Sequence, residues 1–390
     1  METDRLPIDE HLATVESGLA RLPSLTGLRW WAALLVVFHH SFQGILGSGY
    51  VKVAAMRTWA TGGFLGVSLF FVLSGFVLTW AWNDREGKSS FYLRRFARIY
   101  PVYVLAVILF IITLKSNGDP VGIKATIATL GLLQAWIPYQ EYYAKPSLVA
   151  WSLSCEAFFY AMLPLVMPRL WHAKNRVIGA VAGVAAIWLV LVPMIVVSVV
   201  HDGYLQHGLE LNPLYRFGEF MLGVTAAMAM RRGWRPRWNP WVVVALLLAD
   251  YLLSAWLLRV AVQGTWSIEA SRFMATLVFL PGVVIAIVGL AAADIRGKRT
   301  PVSGDLTVML GEWSYSMYLI HILVLFHVTK LWRAPKGVHV GQIGLGLSLV
   351  REAIIVIVTV AAAGILHTCV EMPANRAIRA RFSRRHRSKT

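Results

Sequence analysis

Cysteine is nearly absent: the 390 residues include two, Cys155 and Cys369, each inside an apolar run. That excludes a secreted domain held together by disulfides. Charge is scarce too, at 15% of residues where soluble domains carry about a quarter. Acidic residues are the rarer sign, 20 against 37 Lys and Arg, which leaves a formal net charge of +17. No segment repeats, so a solenoid is excluded. There is no Walker A loop, Gly-rich dinucleotide turn, G-x-S-x-G elbow or metal-ligand spacing, so nucleotide hydrolysis, serine-hydrolase chemistry and a metal site find no support. What is abundant is apolar surface: 57% apolar residues, 16 Trp and a mean hydropathy of +0.61. These figures exclude disorder and collagen and imply a polytopic membrane protein in a lipid bilayer.

The excess of basic residues does not signal nucleic acid, because it sits in short clusters between apolar runs, as in helical membrane proteins. A helical span needs roughly 20 apolar residues. Ten stretches qualify, about 28–47, 64–82, 99–115, 149–168, 177–200, 213–230, 240–258, 273–293, 313–332 and 347–370. Residues 121–137 (VGIKATIATLGLLQAWI) are shorter and more polar. If they do not cross, 25 of the 37 basic residues fall on one face, in the N-terminal arm, 83–98, 169–176, 231–239, 294–300 and the tail. If they cross, RRGWRPR (231–237) moves outside and the positive-inside rule fails. The expectation is an all-α bundle of about ten transmembrane helices, both termini cytoplasmic, with 121–137 as a re-entrant or surface helix. Residues 1–23 read as a cytoplasmic arm without a signal peptide, 24–372 as one membrane domain, and 373–390 as a basic, solvated cytoplasmic tail.

Ionisable residues within spans point to function. Arg29 and His40 stand 11 positions apart, three helical turns plus about 20°, so they share a face about 16 Å apart along the axis. His40 reaches mid-bilayer, where an imidazole can act as general base; the alternative is a helix-packing histidine. His39 points about 100° away. In WSLSCEAFFY, Glu156 has Ser152 at i−4 and Tyr160 at i+4, one polar stripe in an apolar helix. Glu156 could orient His40, or only tie two helices together. Arg94, Arg95 and Arg98, in the cytoplasmic loop ending SFYLRRFARIYP, could grip a polyphosphate or simply anchor the span. Ser314, Tyr318 and His321 recur at i, i+4 and i+7 and could line a polar substrate cavity or bond within the core. Arg216 and Glu219 read as a neutralising structural pair, and Gly66, Ser74 and Gly75 as small residues that let helices approach.

In order, Arg29 with His40, GVSLFFVLSGF (66–76), RRFARIYP (94–101), WSLSCEAFFY (151–160), RFGEF (216–220), SYSMYLIH (314–321) and VEMP (370–373) resemble the integral-membrane acyltransferase family 3. The resemblance covers nearly the whole chain. It implies ten membrane helices and transfer of an acyl group from cytoplasmic acyl-CoA, acetyl-CoA or another short-chain thioester, to a hydroxyl of a sugar, glycoconjugate or glycosylated small molecule. By it, His40 is the essential histidine, Arg29, Arg94, Arg95 and Arg98 belong to donor-binding motifs, and Glu156 takes the acidic position of W-S-L-x-x-E. No metal is implied. The chain is expected to be a stand-alone form in the cytoplasmic membrane. Its opening LPSLTGLRWWAALLVVFHHSF is similar to that of actinobacterial members that acylate macrolides. An exporter of a glycolipid or antibiotic, without chemistry, is the rival reading; paired broken helices with matched charges, its expected signature, are missing.

Overall fold

The structure, a computed structural model, describes residues 20–42, 59–264, 266–331 and 345–387. These residues form helices and no strand. The long helices are α1 (Pro23–Phe42), α2 (Leu65–Trp80, entered through a tight turn at Gly62–Phe64) and α3 (Lys88–Ser116). Short α4 (Ile123–Leu130) and α5 (Gln140–Tyr143) precede α6 (Trp151–Trp171) and α7 (Asn175–Val199). Short α8 (Gly203–Glu210) leads to α9 (Pro213–Arg231), α10 (Pro240–Gln263), α11 (Ile268–Ile295), α12 (Asp305–Leu331), α13 (Leu345–Leu366) and α14 (Met372–Arg387). Within the described residues every expected span thus coincides with a helix, residues 43–47 and 332 of two spans lying outside them, and the chain is a multi-pass membrane protein. Eight of these helical segments are long and apolar enough to cross a bilayer. The other two, α1 and α9, carry Arg29, His39 and His40, or Arg216 and Glu219, and most of their residues are buried inside the bundle.

Local chemistry sets several of the helix starts. Asn212 and Asn239 cap α9 and α10, each accepting a backbone N–H at 2.9 Å from two residues on, with proline at the first helical position. Helix α3 is longer than the 99–115 stretch: at 29 residues it runs about 44 Å, so residues 88–98, expected as loop, are helical. At the crossing of α2 and α9, a Cβ on Gly75 would overlap the Phe220 carbonyl and one on Gly223 the Val72 carbonyl. Only glycine permits that approach. Gly66 meets the Ala32 carbonyl in the same way, whereas Ser74 faces a cavity.

Segment 121–137 does not cross, since α4 is eight residues, about 12 Å, long. Its backbone is held by side chains of α3 and α6: Tyr103 donates to the Thr129 carbonyl at 2.6 Å, Tyr100 to Leu130 at 3.2 Å and Ser154 to Leu132 at 2.6 Å. Irregular backbone at membrane depth survives only when protein satisfies it in this way. The basic tail departs from expectation. It is not simply solvated: after a π-helical turn at His367–Glu371, α14 continues to Arg387 and packs beside α3. Glu371 accepts Ser316 Oγ at 2.9 Å and meets His367 Nδ1 at 3.1 Å. The arm at 1–19 lies outside the described residues.

Candidate active site

Five helices enclose a cavity whose volume with its mouth is about 820 Å³. Its polar wall combines Arg29 from α1, Arg95 and Arg98 from α3, Ser152, Glu156 and Tyr160 from α6, and Ser314 and Tyr318 from α12. The apolar wall comes mainly from α2, through Val67, Phe70, Phe71, Val77 and Leu78. Eight of the eleven residues singled out by sequence therefore meet in one cavity. Arg94, His40 and His321 are not among its lining residues.

Helical spacing explains the arginines. At 100° per residue, Arg98 lies 40° from Arg94 and 60° from Arg95, and Ile99 a further 40° beyond Arg95. The face centred on Arg95, Arg98 and Ile99 opens on the cavity. Arg94 lies at its far edge, where Glu86 engages its guanidinium and Ser90 Oγ stands 3.3 Å away. Sequence grouped three arginines; the structure separates Arg94 from the other two. Arg95 Nε is buried without a hydrogen-bond partner, its guanidinium 5.7 Å from the Phe91 ring centroid. A buried, unpaired guanidinium N–H is costly, and an anion entering the cavity would supply its acceptor.

Glu156 shares the cavity with the three arginines and accepts Tyr160 OH at 3.3 Å. It was expected beside the His40 imidazole. The ring that meets His40 is instead His321: Nε2 of His321 lies 3.1 Å from Nδ1 of His40, with ring centroids 5.0 Å apart. The reason is steric order along the helices. Glu156 lies about one and a half turns into α6 and lines the same cavity as Arg29, while His40 is three turns higher on α1 and meets α12, which packs along it. His39, by contrast, is buried with Nδ1 2.8 Å from the Thr61 carbonyl and its ring against Phe64, a packing contact. The Ser314–Tyr318–His321 stripe divides likewise. Tyr318 OH lies 2.8 Å from Ser152 Oγ and donates to Val149 O at 3.2 Å; Ser314 bonds its own helix at the Gly311 carbonyl, 2.7 Å away.

Sequence reasoning missed Tyr315, which lines the cavity and donates to the Ile99 carbonyl at 2.7 Å, and the α2 wall. The wall was legible: residues 67, 70/71, 74 and 77/78 recur at helical spacing. Cys155 is buried away from the cavity, its thiol 3.3 Å from the Leu211 carbonyl. The Arg216–Glu219 pair exists, at 2.6 Å, within a larger network. Glu210 receives Arg216 at 3.0 Å and Arg272 at 2.9 Å, and Arg272 lies 4.1 Å over the Phe64 ring. Burial pushes the Glu210 carboxyl up, but Arg272, His207 and Arg216 outweigh it and hold it well below the ordinary range.

Comparison with known proteins follows the same segments. The acyltransferase 3 family, described as an acyltransferase domain, matches residues 22–368. Acyltransferase MdmB of Streptomyces mycarofaciens is 32% identical over 379 residues, covering 92% of each chain. Peptidoglycan O-acetyltransferase OatA of Listeria monocytogenes is 28% identical over 193 residues, 44% of this chain and 29% of that protein. No solved structure matches.

Proposed function

The chain belongs to the acyltransferase 3 family, and from that premise we propose a membrane O-acyltransferase that moves an acyl group from acyl-CoA to a hydroxyl acceptor. The donor is acetyl-CoA or another short-chain thioester. The acceptor is a sugar, glycoconjugate or macrolide-type hydroxyl; a relative named for peptidoglycan O-acetylation supports the carbohydrate class. The enzyme resides in the cytoplasmic membrane, with the arginine end of the cavity and both termini towards the cytoplasm, as the basic loops suggest.

The observation that carries the proposal is one cavity with Arg29, Arg95 and Arg98 on one wall and an apolar α2 wall opposite. Guanidinium forks suit phosphate oxygens, and the apolar wall suits an acyl-pantetheine arm. Glu156, among the three arginines, orders them by charge. Ser152, Ser314, Tyr318 and Tyr160 offer hydroxyls to polar parts of either substrate. Arg94, engaged by Glu86, holds the helix start rather than the donor. His40 acts as general base. The acceptor O–H gives its proton to the imidazole and the oxygen bonds to the thioester carbonyl carbon. The C–S bond then breaks, and the departing sulfur takes the proton back from the imidazolium. General-base assistance of this kind typically contributes 10²–10⁴-fold.

The test is release of free CoA thiol by purified protein in lipid nanodiscs, with and without a glycosylated macrolide or oligosaccharide, followed by mass spectrometry of the acceptor. Acceptor-dependent thiol release with an acyl mass gain is expected. Movement of an unmodified acceptor across a vesicle membrane, with no thiol released, would return the protein to the exporter class.

A further inference from the structure

We propose that His321 is the positioning residue for His40: its Nε2 accepts a hydrogen bond from the His40 Nδ1–H and so turns the Nε2 lone pair of His40 towards the acceptor hydroxyl. The proposal rests on the reading of His40 as the general base. It assigns His321 a task different from the substrate contact suggested by its place in the Ser314–Tyr318–His321 stripe.

The proton positions follow from what the neighbours can accept. His321 Nδ1 lies 2.7 Å from the Tyr318 carbonyl oxygen, which has no proton to give, so Nδ1 carries the hydrogen. A neutral His321 then has its lone pair on Nε2. His40 Nδ1 lies 2.9 Å from the Val36 carbonyl oxygen and must also carry hydrogen. That N–H faces two acceptors, the Val36 carbonyl and His321 Nε2 at 3.1 Å. The remaining nitrogen of neutral His40, Nε2, is unprotonated and has no hydrogen-bond partner among the described residues. It is the atom a general base needs free.

The support is rigid. His321 is buried, its ring 5.8 Å from that of Tyr318, whose hydroxyl is held by Ser152 and Val149. Tyr318 is also part of the cavity wall, so the post that holds the base is fixed to the donor compartment. The Val36 bond lies within α1 and turns the ring only relative to its own helix. The His321 bond sets it relative to α12. In the transition state the acceptor's proton moves to His40 Nε2, the imidazole becomes cationic, and the Nδ1–H bond to His321 becomes charge-assisted. A bond that strengthens as the reaction proceeds raises kcat, whereas one of constant strength alters only substrate binding.

The experiment measures kcat and KM for acetyl-CoA and acceptor in nanodiscs for His321→Leu, His321→Gln and His321→Asn, with His40→Ala beside them. Leucine keeps bulk and removes the acceptor; glutamine carries its carbonyl about as far as Nε2, and asparagine stops at the level of Nδ1. Expected is a fall in kcat of about 10- to 100-fold for His321→Leu and His321→Asn, KM values within about threefold, and recovery of most of the loss in His321→Gln. Wild-type kcat in His321→Leu, a loss confined to KM, or a glutamine variant no better than asparagine overturns the proposal. Should the leucine protein not fold, the glutamine–asparagine comparison decides alone. An active His40→Ala overturns the base reading itself, whereas an inactive His40→Ala with a wild-type His321→Leu overturns only the positioning.

Discussion

Replacing the arginines of α3 by lysine, one at a time, separates phosphate binding from helix anchoring, and the three positions are unequal. Arg95 and Arg98 face the cavity, and Arg95 Nε is buried with no partner. Lysine keeps the charge but loses the planar fork, so it cannot offer two parallel N–H donors to one phosphate. A charge-assisted contact contributes roughly 1.5–3 kcal/mol, and about 1.4 kcal/mol is a factor of ten. Arg95→Lys and Arg98→Lys should therefore each raise KM for acyl-CoA by about 10- to 100-fold, with KM for the acceptor little changed. Arg94 is different: its guanidinium and Glu86 are 30% and 16% exposed. A partly exposed pair of this kind contributes about 0.2–1 kcal/mol, so Arg94→Lys should shift KM by less than about fivefold. The assay is initial rate against acyl-CoA concentration at saturating acceptor, with membrane insertion checked by fluorescence size-exclusion. Equal behaviour of all three variants, whether all wild-type or all impaired, would refute the assignment of Arg95 and Arg98 to the donor.

Three further outcomes follow from the same geometry. His40→Ala should abolish transfer, whereas His39→Ala should keep appreciable activity because its imidazole packs against Phe64 and Thr61; equal small losses in kcat would contradict this. In a Cys369→Ser background, cysteines introduced as Gln140→Cys and Leu205→Cys should react with an impermeant maleimide in intact cells, and Arg235→Cys only after permeabilisation; early labelling at 235 would invert the topology. Glu210→Gln removes the negative charge, and one of the two acceptor oxygens, that hold two buried or partly buried guanidiniums and should cost about 3–5 kcal/mol, read as a lowered midpoint of thermal unfolding. Because the Glu210 carboxyl is held below its ordinary value, its stabilisation is present above about pH 4.3 and withdrawn as pH falls further. The glutamine variant should lack that acid-side loss; an unchanged acid limb would count against it.

The spans, and the faces of single helices, could be read from the residues because both are set within one helix. Apolar run length sets a crossing, and 100° per residue puts Ser152, Glu156 and Tyr160 on one side whatever lies opposite. The same rule sets Arg94 100° from Arg95 but only 40° from Arg98, so periodicity leaves Arg94 at the edge of that face and the contact with Glu86 decides its side. Segment 121–137 was legible as non-crossing from the charge of later loops, because basic residues resist translocation. Helix ends were less legible: α3 begins at Lys88 and the tail stays helical to Arg387, since polar turns continue a helix as readily as apolar ones.

Which faces meet was decided by packing alone. His40 and His321 stand 281 positions apart, and nothing local to either names the other. They meet because α12 lies along α1, where Gly311 admits the Thr26 carbonyl of α1, while Gly27 admits the Val302 carbonyl of the turn that leads into α12. Glu156 was assigned to His40 on chemical grounds, since a carboxylate beside an imidazole is a familiar pair. The heights of the helices placed it with the arginines instead. Side-chain identity and periodicity fix direction around an axis, but depth along the bundle depends on how neighbouring helices are staggered, and that stagger is a property of the assembled bundle.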